Sequence, residues 1–395
     1  MATAQQLATL AEELVSRGHK VTVIATDRGY DDPSRRFCRR ENWNGVTIIR
    51  LPSVIAGKRT KWRRLFGFAG FLIICAFRLL FLPRFDVVVT LTSPPLISVL
   101  GALFVQAKGG RFFCWVMDLN PDEAIAAGWI KQDSFAARAL QRLLSYSLRR
   151  AEKVIVLDRF MKQRILAKGT PENRIVVLPP WALNHKIHYD GPGRAAFRQH
   201  HHLEDRFVVM YSGNHSPCHP LDTLLQAAAA LSAQTQIAFC FVGGGTEQAK
   251  VRSFAASNNL QNISCLPYQP LDELAGSLSA GDLQAVVMGD KFAGIIHPCK
   301  IYNIISVGVP LLYIGPKESH IMDIASQNWH GYKIYEARHG DAQSVAASIL
   351  GAATDQNHRA KMPQEFGDLA RHFSRESLLP RLVQLLETGD KGKDD

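Results

Sequence analysis

Short apolar runs recur along this chain, separated by stretches in which apolar residues return every three or four positions. The runs at 21–24, 46–49, 87–89, 112–116, 154–157 and 175–178 are nearly uninterrupted, the pattern of strands buried on both faces. Residues 5–16 and 136–149 carry helical periodicity between them. After Pro179 and Pro180 comes a polar, His-rich segment, and the rhythm restarts with runs at 207–211, 237–242, 263–265, 283–287 and 311–314. Two successive strand–helix series predict an α/β protein made of two doubly wound, Rossmann-like domains facing each other across a cleft. The pattern places a first domain at 1–183, a linker at 184–204, a second domain at 205–366 and a C-terminal helix with a polar tail at 367–395. The triple histidine His200, His201 and His202 lies in that linker without a cysteine or carboxylate pattern beside it, which favours a solvated segment over a metal site.

One segment breaks the rhythm. Lys58, Arg59, Lys61, Arg63 and Arg64 stand directly before a Phe-rich apolar stretch, 65–77, that ends at Arg78. Spanning a bilayer takes roughly 20 apolar residues, so the stretch is too short to cross. Two readings stay open for 57–85: a helix lying in the interface of an anionic membrane, or a core helix with a basic end.

Composition narrows the partners. The chain has 395 residues, is 47% hydrophobic and 21% charged, and carries a net charge of +11. That supports a large core and attraction to something anionic. No zinc-finger spacing or RNA-binding aromatic pattern points to nucleic acid. The seven cysteines form no C-x-x-C pair, as in a reducing, cytoplasmic compartment. The amino end lacks the apolar core of a signal peptide.

Three places carry candidate chemistry. Pro298, Cys299 and Lys300 open a short helical pattern that stops at Gly308 and Pro310 before the run at 311–314. A lysine in a helix's first turn repels the positive end of the dipole unless an anion sits there, so Lys300 is a candidate phosphate contact. Gly213, before Asn214 and His215, and the Gly243–Gly244 pair each follow a strand, where small backbone lets a pyrophosphate approach. Asp118 ends the apolar run 112–117, at the carboxyl edge where open α/β sheets gather ligands. A carboxylate there can orient or deprotonate a hydroxyl, while the bland alternative is a helix cap. Ser93 and Pro94 also close a strand.

The residues Gly18-His19-Lys20, Gly243-Gly244-Gly245, the stretch 262–268 and the segment 300–310 occur in the order seen in family 4 glycosyltransferases of the GT-B fold. The chain resembles most closely the bacterial branch that builds surface polysaccharides of the colanic acid and O-antigen type. That likeness is carried by residues 92–96, 118–122, 178–181 and 211–215, and extends from about residue 3 to about residue 365. It implies a retaining enzyme that moves a hexosyl or N-acetylhexosaminyl group from a nucleoside-diphosphate donor, a UDP-sugar, to a membrane-linked or polysaccharide acceptor. The first domain would take the acceptor, with Asp118 catalytic and Ser93, Pro94 and Asp122 beside it. The second would bind the donor through Gly213, Asn214, His215, Gly243, Gly244, Tyr268, His297, Lys300, Asn303 and Glu318, with Tyr268 against the base and Lys300 also catalytic. No cofactor or metal is implied, and no Asp-x-Asp occurs. The partners would be the donor, the acceptor and an anionic membrane surface, not nucleic acid, for a cytoplasmic protein peripheral on the inner face of the cell membrane.

The chain departs from that family in three ways. Where many relatives carry two glutamates with seven residues between them, it has Ile295 and Asn303; where they carry an arginine and a lysine after the first strand of the donor domain, it has Asn214, His215 and His219. Neutralising the leaving diphosphate would then rest on helix ends, Lys300 and His215 or Lys291. The chain also begins inside what should be the first helix, so the opening strand of the family pattern is lacking, as with a start codon assigned too late or a rearranged domain. Two other functions fit the same sequence: a catalytically silent nucleotide-sugar-binding or scaffold subunit, and a non-hydrolysing nucleotide-sugar epimerase.

Overall fold

The structure is a computed structural model that describes residues 2–29, 34–53, 61–182, 187–327, 332–355 and 367–389, with the backbone alone at 2 and 61–66. The chain divides into two compact units, one of Met1–Leu178 with Leu379–Asp395 and one of Pro179–Leu378.

In the first unit α1 (Ala2–Ser16) leads into β1 (Thr22–Thr26), β2 (Arg40–Trp43) and β3 (Val46–Leu51). Then come α2 (Lys61–Leu80), β4 (Val87–Thr90), α3 (Ile97–Lys108), β5 (Arg111–Trp115), α4 (Asp122–Ala126), α5 (Phe135–Arg150), β6 (Lys153–Val156), α6 (Arg159–Ala167) and β7 (Ile175–Val177). These strands form two sheets, ordered β1-β3-β2 and β4-β5-β6-β7. All ladders are parallel except β2 with β3. The first unit thus holds two sheets, with β1 and β4 both edge strands. Their apolar residues are mostly half-buried, whereas β5 and β6 are almost wholly buried.

The second unit contains α7 (Gly191–His200), β8 (Phe207–Asn214), α8 (Asp222–Ala230), β9 (Ile237–Gly244), α9 (Gln248–Ser257), β10 (Ile263–Leu266), α10 (Leu274–Ser279), β11 (Leu283–Val287), α11 (Lys300–Ser306), β12 (Leu311–Ile314), α12 (His320–Ser326), β13 (Ile334–Ala337) and α13 (Ala342–Thr354). Its six parallel strands run β10-β9-β8-β11-β12-β13. Phe207, Val209, Phe239, Leu283, Val287 and Leu312 are buried in a core shared with α8 and α13. The helices cover both faces of β8, β9, β11 and β12, which explains their uninterrupted apolar runs.

The stretch read as a linker differs. Residues 191–200 are a helix, capped by Asp190, whose carboxylate accepts from the Gly193 N–H. It is tied to the second unit by Arg194 and Arg198, both paired with Asp282. Residues 183–186, and so the first part of that stretch, lie outside the described residues. At the other end, the last helix, Arg375–Thr388, crosses from one unit's residues to the other's. Arg111 in β5 donates to the carbonyls of Leu386 and Glu387 and forks onto Glu152.

Candidate functional site

Four strands of the second unit deliver side chains to one sheet edge. β8 and β9 stay in register to their last residues, pairing Gly213 with Gly243 and Asn214 with Gly244. Gly213 has φ +136° and Gly243 φ +131°, conformations that only glycine adopts easily. A Cβ on Gly213 would lie 3.2 Å from the Lys300 ammonium nitrogen, and one on Gly243 would strike the Gly213 carbonyl. The positive φ values and these close neighbours account for glycine at both positions.

Lys300 opens α11, and its ammonium nitrogen sits 3.6 Å from the centroid of the Tyr211 ring. That nitrogen is buried and has no hydrogen-bond partner among the described residues. Burial pulls its pKa down to about 7, because the charged form loses its water. The Tyr211 ring supplies cation–π attraction, but not a counter-charge.

His215 is wholly buried, and neither ring nitrogen makes a hydrogen bond among the described residues. Its ring packs edge-on against Tyr211 at 5.0 Å. Burial first, and then the charge of Lys300, lower its pKa to about 4. His219, whose Nδ1 lies 2.7 Å from the Val287 carbonyl, is lowered to about 3 by the same two causes. Three nitrogen-bearing side chains thus converge beyond β8 and β11 with no carboxylate among the groups that shift them. Such a set of donors suits an anion.

Tyr268 lies over the Gly243–Gly244 turn: its hydroxyl donates to the Gly244 carbonyl at 3.1 Å, and the side chain stays 55% exposed. Asn214 is exposed at the end of β8. Glu318 is exposed beyond β12, next to Ser319, which caps α12 by accepting from the Met322 N–H. Asn303 is buried one turn along α11 from Lys300. His297 has a packing role within the unit: its Nε2 is 2.6 Å from the Tyr302 hydroxyl, and its ring stacks on His320 at 3.6 Å.

In the first unit Asp118 follows β5. Its backbone N–H and that of Met117 both donate to the Thr92 hydroxyl at 3.2 Å. Burial, reinforced by the nearby Glu123 carboxylate, pushes its pKa up to about 7. Ser93 is exposed beside Thr92, followed by Pro94. Asp122, expected on the acceptor side, instead forms a mostly buried ion pair with Lys168 at 2.8 Å. The sequence reading missed Tyr211, Thr92 and Lys168. Tyr211 is the last apolar residue of its run, two before Gly213, and that spacing is the one signal that marks it.

Residues 2–181 match the glycosyl transferase 4-like domain. Over that stretch, a little under half of the chain, the sequence is similar to the family 4 glycosyltransferases. It is 26% identical over 250 residues to a probable glycosyltransferase, WbjE, of Pseudomonas aeruginosa, a match spanning 62% of each chain. It is 25% identical over 317 residues to a putative colanic acid biosynthesis glycosyl transferase, WcaI, of Escherichia coli, spanning 76% of each. Among solved structures, Anabaena HepE in complex with UDP and glucose superposes with a TM-score of 0.66 at 15% identity, covering 87% of both chains. The fold is thus that of the GT-B enzymes.

Proposed function

We propose that this protein is a retaining glycosyltransferase of surface-polysaccharide synthesis, using a nucleoside-diphosphate sugar, with UDP as the favoured nucleotide. One observation carries the reading: the Lys300 ammonium, without a hydrogen-bond partner among the described residues and buried over Tyr211 beside the His215 ring, at the carboxyl edge of β8. A diphosphate there supplies the missing charge, and the tight backbone at Gly213 and Gly243 leaves it room. Tyr268 offers a face to the base, and Glu318 and Asn303 stand ready for sugar or ribose hydroxyls.

The sugar transfer leaves negative charge on the departing diphosphate, which Lys300 and the neutral imidazoles stabilise by position, without a metal or cofactor. Asp118, poised near neutral pH, orients or deprotonates the acceptor hydroxyl. The colanic acid biosynthesis role in one relative's name favours a polysaccharide acceptor; a lipid-linked acceptor and a hexosyl or N-acetylhexosaminyl donor belong to the proposal. No helix among the described residues is long and apolar enough to cross a membrane. The reading is of a peripheral protein on the cytoplasmic face, held by an anionic surface.

Calorimetric titration with UDP, GDP and ADP tests the donor reading. We expect saturable binding of UDP, and Lys300→Ala to weaken it by roughly 1.5–3 kcal/mol, the scale of a charge-assisted hydrogen bond. Unchanged affinity in that variant removes Lys300 from the site. Failure of all three nucleotides to bind removes the donor reading and favours a silent subunit.

A further inference from the structure

Among the described residues, nothing covers one side of α2. Ile73, Phe77, Leu80 and the following Phe81 are 66–70% exposed, while Cys75 on the same helix is 2% exposed. Positions 73, 77, 80 and 81 share one helical face, and the rings of Phe77 and Phe81 lie 5.9 Å apart. An open groove of about 600 Å³ runs between this face and the β2–β3 ribbon, walled by Ile49, Leu51, Phe77 and Phe81. That volume is in the range of sites that hold a small molecule.

The rim is of one sign. Arg39, Arg40, Arg50 and Arg78 all border the groove. Arg50 is committed to Glu41, which it grips with both terminal nitrogens at 2.7 and 3.0 Å. Arg39, Arg40 and Arg78 are exposed and make no ion pair among the described residues. An apolar floor under three available guanidinium groups matches an amphiphile with an aliphatic chain and an anionic head. A sugar or nucleotide would leave the phenylalanines wet.

We propose that this groove receives one acyl chain of a phosphate-bearing bilayer lipid, with the headgroup held by Arg39, Arg40 and Arg78. The inference rests on the membrane-surface reading above and adds to it a specific lipid site. A helix merely floating in the interface needs no groove and would not bind a lipid monomer.

The full chain should be sedimented with phosphatidylglycerol or phosphatidylcholine vesicles, and separately dialysed against dihexanoyl-phosphatidylglycerol below its micelle concentration. Three comparisons matter: the parent, Phe77→Asp with Phe81→Asp, and Arg39→Gln with Arg40→Gln and Arg78→Gln. Because the substituted side chains are exposed, circular dichroism and melting should stay unchanged, and UDP titration reports on the donor site independently. Each basic residue at an anionic surface changes affinity about fivefold, so the triple variant should lose at least tenfold for phosphatidylglycerol vesicles. The parent should also bind the monomeric lipid saturably, at one per chain, and the aspartate pair should abolish it. Vesicle binding without saturable monomer binding overturns the groove while keeping the membrane reading, as does a triple variant that binds like the parent. Displacement of the lipid by equimolar inorganic phosphate would reduce the site to a simple anion patch and overturn it too. A parent that ignores phosphatidylglycerol vesicles overturns the groove and the membrane reading together.

Discussion

At the scale of single residues, proton linkage separates the two candidate chemistries. Lys300 binds its proton with a folded pKa of about 7, below the usual lysine value. Between about pH 7 and 10 the unfolded chain therefore holds more protons here, so this group's contribution to stability rises with pH. A diphosphate beside it restores the charge. UDP binding at pH 8 should consequently take up most of one proton, seen as a binding enthalpy that varies with the ionisation enthalpy of the buffer. An enthalpy independent of buffer would mean that Lys300 is not the group that meets the phosphate. Asp118 has the opposite sign: its folded pKa is raised to about 7, so its contribution is fully present at about pH 4 and is lost as pH rises through 7. Asp118→Asn should leave stability at about pH 3.5, below the unfolded pKa, nearly unchanged. At pH 8 it should raise stability by about 1–2 kcal/mol, a partly solvent-screened fraction of the shift, while lowering turnover by about 10²–10⁴-fold. A variant that keeps full turnover would return Asp118 to the role of a buried structural acid. Lys300 was legible in the sequence because its charge conflicts with its place in a helix. The Asp122–Lys168 pair was not, because 46 residues separate partners that only the fold brings together.

At the scale of elements, the strands were the most legible part, and for a physical reason. β5, β6, β8, β9, β11 and β12 are covered on both faces, so selection for burial leaves unbroken apolar runs. β2 and β13 escaped the reading because their runs are broken by polar residues: Arg40, Glu41 and Asn42 in β2, and Glu336 in β13. The turn after β9 shows how element geometry serves the site. Gly243→Ala adds a methyl that must push against the Gly213 carbonyl from a φ near +131°, so β8 and β9 must part where the diphosphate would approach. Strain of this kind costs of order 1–3 kcal/mol. Thermal unfolding should report that loss, with UDP affinity falling at the same time. Full UDP affinity in a folded variant would place the nucleotide elsewhere. The apolar segment at 57–85 shows the limit of periodicity: both a core helix and an interfacial helix were compatible with it. The structure buries Cys75 and exposes Phe77 on one helix; 57–60 and the side chains of 61–66 lie outside the described residues.

At the scale of the whole molecule, the chain closes its first unit with residues from its far end. Leu382, Val383, Leu385 and Leu386 are 0–2% exposed, and the Arg111 guanidinium grips the end of that helix through two backbone carbonyls. Arg17 and His19 reach the same region through Glu387. Sequence alone marked 367–395 as a helix with a tail, but nothing local says which unit an apolar helix will cover, since that depends on contacts more than two hundred residues away. The residues that carry the candidate donor site all belong to the other unit, which makes a clean separation possible. Leu386→Ala removes a buried side chain among groups assigned to the first unit, at a cost of about 2–5 kcal/mol. Calorimetric melting should show an earlier transition, while UDP titration at 15 °C should give the parent's affinity. If the variant loses UDP affinity in step with its melting temperature, the two units share one cooperative transition, and the last helix then supports the donor site as well as the unit it packs in.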